Sequence, residues 1–421
     1  MSNTNFPNLI HSLKSDSISI VLFGAGDFGE LALYALNALD IQVSYFCDSN
    51  EEKQGKLFCG IETISPIELS KMARDRHIFI TNHYVMQVTT LLEDMGFTNI
   101  HNCAELLENT DFSEDNAFSK NNLSNPRHRY KHHWSPLKIK REIGIYKYDC
   151  EKATKNSSVG FNMKFMDIVI TERCSLKCKD CANLMQYYEN PKNSDLDLLL
   201  KSTDRLMECI NRIGEFRVIG GDPLMNDKMY HVVNKLVTYD NAENIVVYTN
   251  AKILPKGKNL TCLKHDKVSL LITNYGSELS PKHEELIELL EANNILYVTE
   301  PVLEEWQDVG PLKFEEKTEA ELTHLFNSCC ASDILTLLDG KLYRCPTAGH
   351  GENLEAIPHN PNDVVDLADE SISIEETREK LLNFYYKTDY ISACSYCKGR
   401  EYGFGVVKSA IQTKKPLPLF A

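Results

Sequence analysis

Three cysteines stand close together in the run Cys174-Ser175-Leu176-Lys177-Cys178-Lys179-Asp180-Cys181, with C-x3-C-x2-C spacing. Thiolates are soft ligands, and three on one tight loop suit a [4Fe–4S] cluster whose fourth iron has no protein ligand. An iron left open has room for a small chelating molecule, so such a site can act on a substrate as well as hold charge. Zinc is the competing occupant. A zinc knuckle needs a fourth ligand, for which His83 is one candidate. Five more cysteines follow much later: Cys329, Cys330, Cys345, Cys394 and Cys397. Four of these suit a second cluster or a zinc ribbon, and spacing does not choose between Cys329 and Cys330. Cys47, Cys59, Cys103, Cys150, Cys209 and Cys262 show no ligand spacing and read as small buried hydrophobes.

The elements that must position these residues alternate. A β-type run at 165–171 leads straight into the three-cysteine loop. Further candidate strands lie at 216–219, 245–249, 268–273 and 295–299, with helical stretches between, the first of them capped at Asn193-Ser194. The strand at 216–219 ends in Gly220-Gly221-Asp222-Pro223, and that at 245–249 in Thr249-Asn250. Glycines let a backbone approach a ligand closely, and a carboxylate suits an ammonium, although the same four residues also make an ordinary turn. Beyond residue 326 a hairpin is expected, with strands at 334–338 and 341–344 turning on Asp339-Gly340. Alternation of this kind favours a parallel sheet with its site at the carboxyl ends of the strands.

The first hundred residues carry a second pattern. A strand at 17–23 ends in Gly24-x-Gly26-x-x-Gly29, a helical stretch follows, and a strand at 41–47 ends at Asp48, 19 residues beyond Gly29. A strand at 76–81 and a helix at 85–95 continue the alternation to about residue 110. This reads as a small Rossmann-like domain in which the loop amides receive a phosphate and Asp48 accepts a ribose hydroxyl. Residues 109–126 are polar, and a basic run from 127 to 141 (Arg127, Arg129, Lys131, Lys138, Lys140 and Arg141) is either a solvated face or a holder of a diphosphate.

Composition sets the limits. In 421 residues, 45 basic and 60 acidic side chains leave a formal charge of −15. That argues against nucleic acid as partner. The length suits two or three domains. Apolar runs such as 31–36 are too short to span a membrane, and the N-terminus lacks the pattern of a secretory signal. A cytoplasmic, reducing setting then makes the 14 cysteines metal-binding or redox residues rather than disulfides.

The cysteine loop at the end of a first barrel strand resembles the signature of the radical SAM superfamily. The resemblance implies that Cys174, Cys178 and Cys181 hold a [4Fe–4S] cluster, that S-adenosylmethionine chelates its open iron, and that the cofactor yields a 5′-deoxyadenosyl radical which abstracts hydrogen from a substrate. Gly220, Gly221, Asp222 and Pro223 are similar to the family's Gly-Gly-Glu-Pro segment, which binds the methionine amino group, and Thr249-Asn250 to its Thr-Asn segment near the cofactor. Asp222 replaces the commoner Glu, and Asp180 stands where an aromatic is usual. The late cysteines resemble the SPASM/Twitch auxiliary-cluster domain in its shorter Twitch form, with Cys345, Cys394 and Cys397 as ligands and Cys329 or Cys330 as the fourth.

Residues 48–69, with Asp48-Ser49-Asn50, Gln54-Gly55-Lys56, Gly60-Ile61 and Ser65-Pro66-Ile67, resemble the small Rossmann-like domains of bacterial sugar-modifying enzymes. The expected ligand there is a nucleotide, a nucleotide-sugar or NAD(P). The expected architecture is α/β: a Rossmann-like domain over 1–112, a linker with the basic segment over 113–162, a partial (β/α)6 radical SAM barrel over 163–326, and a Twitch-type iron–sulfur domain over 327–421. The expected activity is an oxidation, epimerisation or dehydration of a carbohydrate, a nucleotide-linked sugar in the first place, by an oxidoreductase or epimerase. It would be served by a flavodoxin- or ferredoxin-type electron donor. A SPASM-type peptide maturase and a non-catalytic iron–sulfur or zinc scaffold are the alternatives.

Overall fold

The computed structural model describes residues 6–15, 19–113, 136–153, 161–299, 301–400 and 405–419. The described residues up to 153 form one compact unit and those from 161 onward a second.

The first unit is built on a six-stranded sheet of β1 (Ile20–Phe23), β2 (Val43–Cys47), β3 (Leu57–Phe58), β4 (Ile61–Ile64), β5 (His77–Ile80) and β6 (Ile100–Asn102). The strands lie in the order β3-β4-β2-β1-β5-β6, and all neighbours are parallel except β3 and β4. The order reverses beside β1, where the chain crosses from β2 and β4 on one flank to β5 and β6 on the other. All four residues of β1 are buried, as a strand covered on both faces requires. Ser65 opens the helix Pro66–Leu69 with a capping box to Glu68.

Where the sequence suggests a linker over 113–162, residues Pro136–Ala153 form a helix. Its Ile139, Ile143, Tyr146 and Cys150 recur at three- and four-residue intervals and enter the core of the first unit. The Tyr146 hydroxyl donates to the Ile80 carbonyl at 2.5 Å, so the helix is fixed to β5. The amphipathic face, not the basic composition, decides the structure here.

The second unit carries an eight-stranded sheet. In chain order its strands are β7 (Asn162–Thr171), β8 (Arg212–Gly220), β9 (Ala242–Thr249), β10 (Val268–Ile272), β11 (Leu296–Thr299), β13 (Leu335–Leu338), β14 (Lys341–Tyr343) and β15 (Val364–Asp366); β12 (Glu305–Gln307) lies outside it. The spatial order is β11-β10-β9-β8-β7-β13-β14-β15. This differs from the expected barrel in two ways. Only five strands of the 163–326 segment follow one another in the sheet, because β12 leaves it to pair antiparallel with β16 (Val406–Lys408). The cysteine-rich C-terminal segment is not a separate sheet either: β13 pairs parallel with β7. The hairpin itself forms as expected, with Asp339 and Gly340 both at positive φ.

One face of this sheet packs on helices. Met166, Ile168, Phe216, Val218, Ile245, Leu335 and Leu337 join Leu206, Leu286 and Leu381 in a single core. The helix Leu196–Cys209 is capped by Asp195, which accepts from the Leu198 N–H, one residue beyond the expected Asn193-Ser194. Those two residues instead bind β7, Asn193 through the Thr171 hydroxyl and Ser194 through the Val169 carbonyl.

Candidate functional site

At the carboxyl end of β7 the chain turns into the three-cysteine loop. Cys178 is buried, and Cys174 and Cys181 pack against it with Leu176, Ala410, Tyr275 and Trp306. N–H groups surround the sulfurs. Leu176 N–H reaches Cys174 Sγ at 3.5 Å, Gln412 Nε2 reaches Cys178 Sγ at 3.2 Å, and the amides of Asn183 and Met185 reach Cys181. Burial pushes all three thiols above their ordinary range, Cys178 up to about 11. Thiols so placed ionise only against cationic charge, and the surrounding N–H donors favour the charged form once it exists. The loop therefore fits a thiolate-bound metal group.

Gly220 and Gly221 sit against the entrance of that loop. Gly220 has φ +143°, and a Cβ there would lie 2.0 Å from the Thr171 carbonyl oxygen. At Gly221 a Cβ would lie 2.2 Å from the Arg173 oxygen. The backbones are joined by Gly221 N–H to Thr171 O (2.9 Å) and Asp222 N–H to Arg173 O (2.8 Å). The glycines are thus required by the approach of two backbones, before any ligand is considered.

Asp222 is almost fully buried, and its carboxylate accepts from Leu224 N–H, the Thr249 hydroxyl and Asn250 N–H. Burial raises its pKa to about 6 against the pull of these bonds. In this conformation Asp222 organises the ends of β8 and β9. Asn250 in turn reaches Ser175 (3.2 Å) and Cys174 Sγ (3.7 Å) through Nδ2, so Thr249-Asn250 does border the loop.

The late cysteines resolve into four and one. Burial pushes Cys345 up to about 12, and the nearby Cys394, Cys329 and Cys397 add to it. Cys394 is likewise raised to about 12, by burial and then by Cys397 and Cys329 among its neighbours. Cys329, at the end of the helix Glu319–Ser328, thus belongs with the other three. Cys330 is pushed up to about 11 by burial and by Cys329 beside it, against the pull of Arg400 and Arg217, but its thiol donates to Gln307 Oε1 at 3.4 Å and it is not among the neighbours acting on Cys345 or Cys394. Ala348 N–H and Gly399 N–H point at Cys345 and Cys397, as N–H donors do in the first group. Among the described residues no group of three or more His, Cys, Asp or Glu closes on a single metal ion.

In the first unit the glycine loop has a different economy. A Cβ at Gly24 (φ +129°) would lie 2.6 Å from the Thr81 carbonyl oxygen, and one at Gly29 would lie 2.2 Å from that of Gly24, whereas Gly26 faces open space. Asp48 Oδ2 accepts from Ala25 N–H and Lys53 Nζ, both at 2.9 Å, and Oδ1 accepts from Asn50 N–H. Asp48 therefore ties the loop together, and Asp27 and Glu30 in the first helical turn already place carboxylates at the helix N-terminus. Of the basic run, Lys138 is buried and Arg141 bonds Glu142 at 3.0 Å, while Lys140 is exposed; Arg127, Arg129 and Lys131 lie outside the described residues. His83 belongs to the first unit, where it bonds Asp149 at 2.6 Å.

Sequence reasoning missed Tyr275, Trp306 and Gln412, which reach the loop from distant segments and carry no local signal. It also missed Asp167 and Arg217, charges in the middle of the largely apolar strands β7 and β8, where a charge mid-strand was the available clue.

Residues 165–281 match the family model described as "4Fe-4S single cluster domain". Among curated relatives, a GTP 3′,8-cyclase of Clostridium acetobutylicum is 29% identical over 99 residues, covering 23% of this chain and 30% of that protein. One of Staphylococcus epidermidis is 28% identical over 116 residues, covering 26% and 34%. The chain thus spans about a third of the length of the curated relatives it matches. Among solved structures, BtrN in complex with AdoMet and 2-DOIA aligns with a TM-score of 0.36 at 16% identity, over 56% of this chain and 92% of that one. Among the described residues no helix is long and apolar enough to cross a membrane.

Proposed function

We propose that this chain is a radical SAM enzyme that abstracts hydrogen from a carbohydrate, a nucleotide-linked sugar in the first place, leading to oxidation, epimerisation or dehydration. The observation that carries the reading is a three-thiol loop set against Gly220–Pro223 and Thr249-Asn250. When bound, a [4Fe–4S] cluster and S-adenosylmethionine supply a 5′-deoxyadenosyl radical. Cys174, Cys178 and Cys181 would hold that cluster, and Cys329, Cys345, Cys394 and Cys397 an auxiliary one.

The chain's own residues have definable tasks. Gly220 and Gly221 keep a backbone ledge flush with the loop, and Asp222 locks the ends of β8 and β9 beside it. Tyr275, Trp306 and Leu176 cover the thiols with apolar surface, which excludes water from a reactive centre. The relatives' name, GTP 3′,8-cyclase, puts their reaction on a nucleotide, which is consistent with a nucleotide-linked substrate. The smaller unit is read as a holder of a nucleotide, nucleotide-sugar or NAD(P), with the open space at Gly26 and the reversal of strand order at β1 in support.

The test is anaerobic turnover with S-adenosylmethionine and deuterated nucleotide-sugars. Deuterium in the 5′-deoxyadenosine product is expected for a substrate. Cofactor cleavage with deuterium transfer only from a peptide would replace the carbohydrate reading with a maturase.

A further inference from the structure

We propose that the face of the large sheet opposite the core of Leu206, Leu286 and Leu381 carries a seat for substrate hydroxyl groups, formed by Asp167, Thr336 and Arg400 and walled by Arg217. It rests on the carbohydrate reading above and names the residues that would recognise such a substrate.

The strand register builds the seat. Thr336 on β13 is the partner of Asp167 on β7, which is the partner of Arg217 on β8. Side chains alternate along strands, and the neighbours Met166, Ile168, Phe216, Val218, Leu335 and Leu337 all enter the helix-packed core. The three polar side chains therefore form one row on the opposite face. Asp167 is 3% exposed and Thr336 fully buried.

Among the described residues, Asp167 Oδ1, Thr336 Oγ1 and Arg400 Nη2 are buried with no hydrogen-bond partner. Leaving such a group unmet is unfavourable to the fold. Asp167 and Thr336 are register partners and the Arg400 charge acts on Asp167, so a ligand's polar groups there would meet these unpaired atoms. Arg217 differs: its Nε donates to Glu215 Oε1 at 2.8 Å and its guanidinium lies 3.6 Å from the Phe165 ring centre, so it is a fixed wall.

Arg400 ties the seat to both thiol groups. Its charge acts on Asp167, on Cys181 of the first group and on Cys397 of the second. Its carbonyl accepts from Cys330 N–H at 3.0 Å. The seat thus adjoins both places where metal groups would stand.

The unmet atoms select the ligand. An ionised Asp167 oxygen only accepts, Arg400 Nη2 only donates, and the Thr336 hydroxyl does both. A phosphate or carboxylate would satisfy Arg400 but face the Asp167 charge. An ammonium would satisfy Asp167 and repel Arg400. Adjacent hydroxyls donate and accept together, so a polyhydroxylated ring meets all three.

The experiment uses the full-length protein, reconstituted anaerobically with iron and sulfide and saturated with S-adenosylmethionine. Myo-inositol, D-glucose, UDP-glucose, inorganic phosphate and methylamine are titrated by calorimetry. At least one of the three polyhydroxylated probes is expected to bind. Asp167→Asn and Arg400→Met should weaken it tenfold or more and Thr336→Val several-fold, while Thr336→Ser restores it. Variants are compared at matched melting temperature and iron content, which a merely structural role would lower. Thr336→Val changes neither size nor charge, so it reads the seat even where a charge variant fails to fold. Absence of binding by all three polyhydroxylated probes, unchanged affinity in the variants, or tighter binding of phosphate or methylamine would overturn the seat. Failure to form 5′-deoxyadenosine would overturn the radical reading instead, so the two failures are distinguishable.

Discussion

The two thiol groups of the larger unit are assembled by opposite means. Cys174, Cys178 and Cys181 come from one loop of eight consecutive residues. Cys329, Cys345, Cys394 and Cys397 come from a helix end, a hairpin end and a short turn near the C-terminus. The first group has three sulfurs, and the C-terminal segment offers it Gln412 rather than a fourth thiol. The second has four. A local group of three leaves a coordination position for a reactant, whereas a distributed group of four closes its metal group and ties distant segments together. On the proposed function, the comparison places reactivity in the group the sequence writes most compactly.

Replacing Cys174, Cys178 and Cys181 together by Ala breaks the comparison at its centre and should have the largest effect. Reconstituted iron should fall from about eight to about four atoms per chain, and cofactor cleavage should vanish. Next come the two adjacent cysteines. Cys329→Ala should remove about four irons and lower the melting temperature, whereas Cys330→Ala should retain about eight. Iron analysis that reversed these outcomes would exchange the two residues.

The glycines sharpen the contrast between the units. Gly221→Ala forces a Cβ onto the Arg173 carbonyl and should cost at least about 1–3 kcal/mol in denaturant unfolding. Gly26→Ala enters open space and should stay within about 1 kcal/mol. Gln412→Ala removes a donor from Cys178 and should cost about 1 kcal/mol with iron content unchanged.

Asp167 gives an effect of another kind, one of pH. Burial raises its pKa to about 6, with Arg217 and Arg400 pulling it down. Between about pH 4 and 6 the folded chain holds a proton at Asp167 that the unfolded chain has released, so this group's contribution to stability is fully present below about pH 4 and is lost as pH rises toward 6. Asp167→Asn should flatten this decline, on the order of 1–3 kcal/mol, in urea titrations of the metal-free protein.

Much of this architecture is legible in the sequence because buried parallel strands read as continuous apolar runs. The runs ending at Phe23, Thr171, Gly220 and Thr249 are strands as expected. The helix Pro136–Ala153 was hidden because its charged residues outweigh the four that pack. The missing sixth barrel strand was not legible, since whether β12 joins β11 or β16 depends on a partner a hundred residues away. Spacing likewise could not separate Cys329 from Cys330; the end of a helix turns them in different directions. Asp48 shows the converse, a motif residue whose oxygens bind its own loop.

The difference between an open and a closed thiol group is tested most directly by electron paramagnetic resonance of the reduced protein, with and without S-adenosylmethionine. The measurement is made on two variants: one lacking Cys345, Cys394 and Cys397, the other lacking Cys174, Cys178 and Cys181. The account predicts that the cofactor changes the spectrum of the first variant and leaves that of the second untouched. A cofactor-induced change in the second variant, or none in the first, would contradict it.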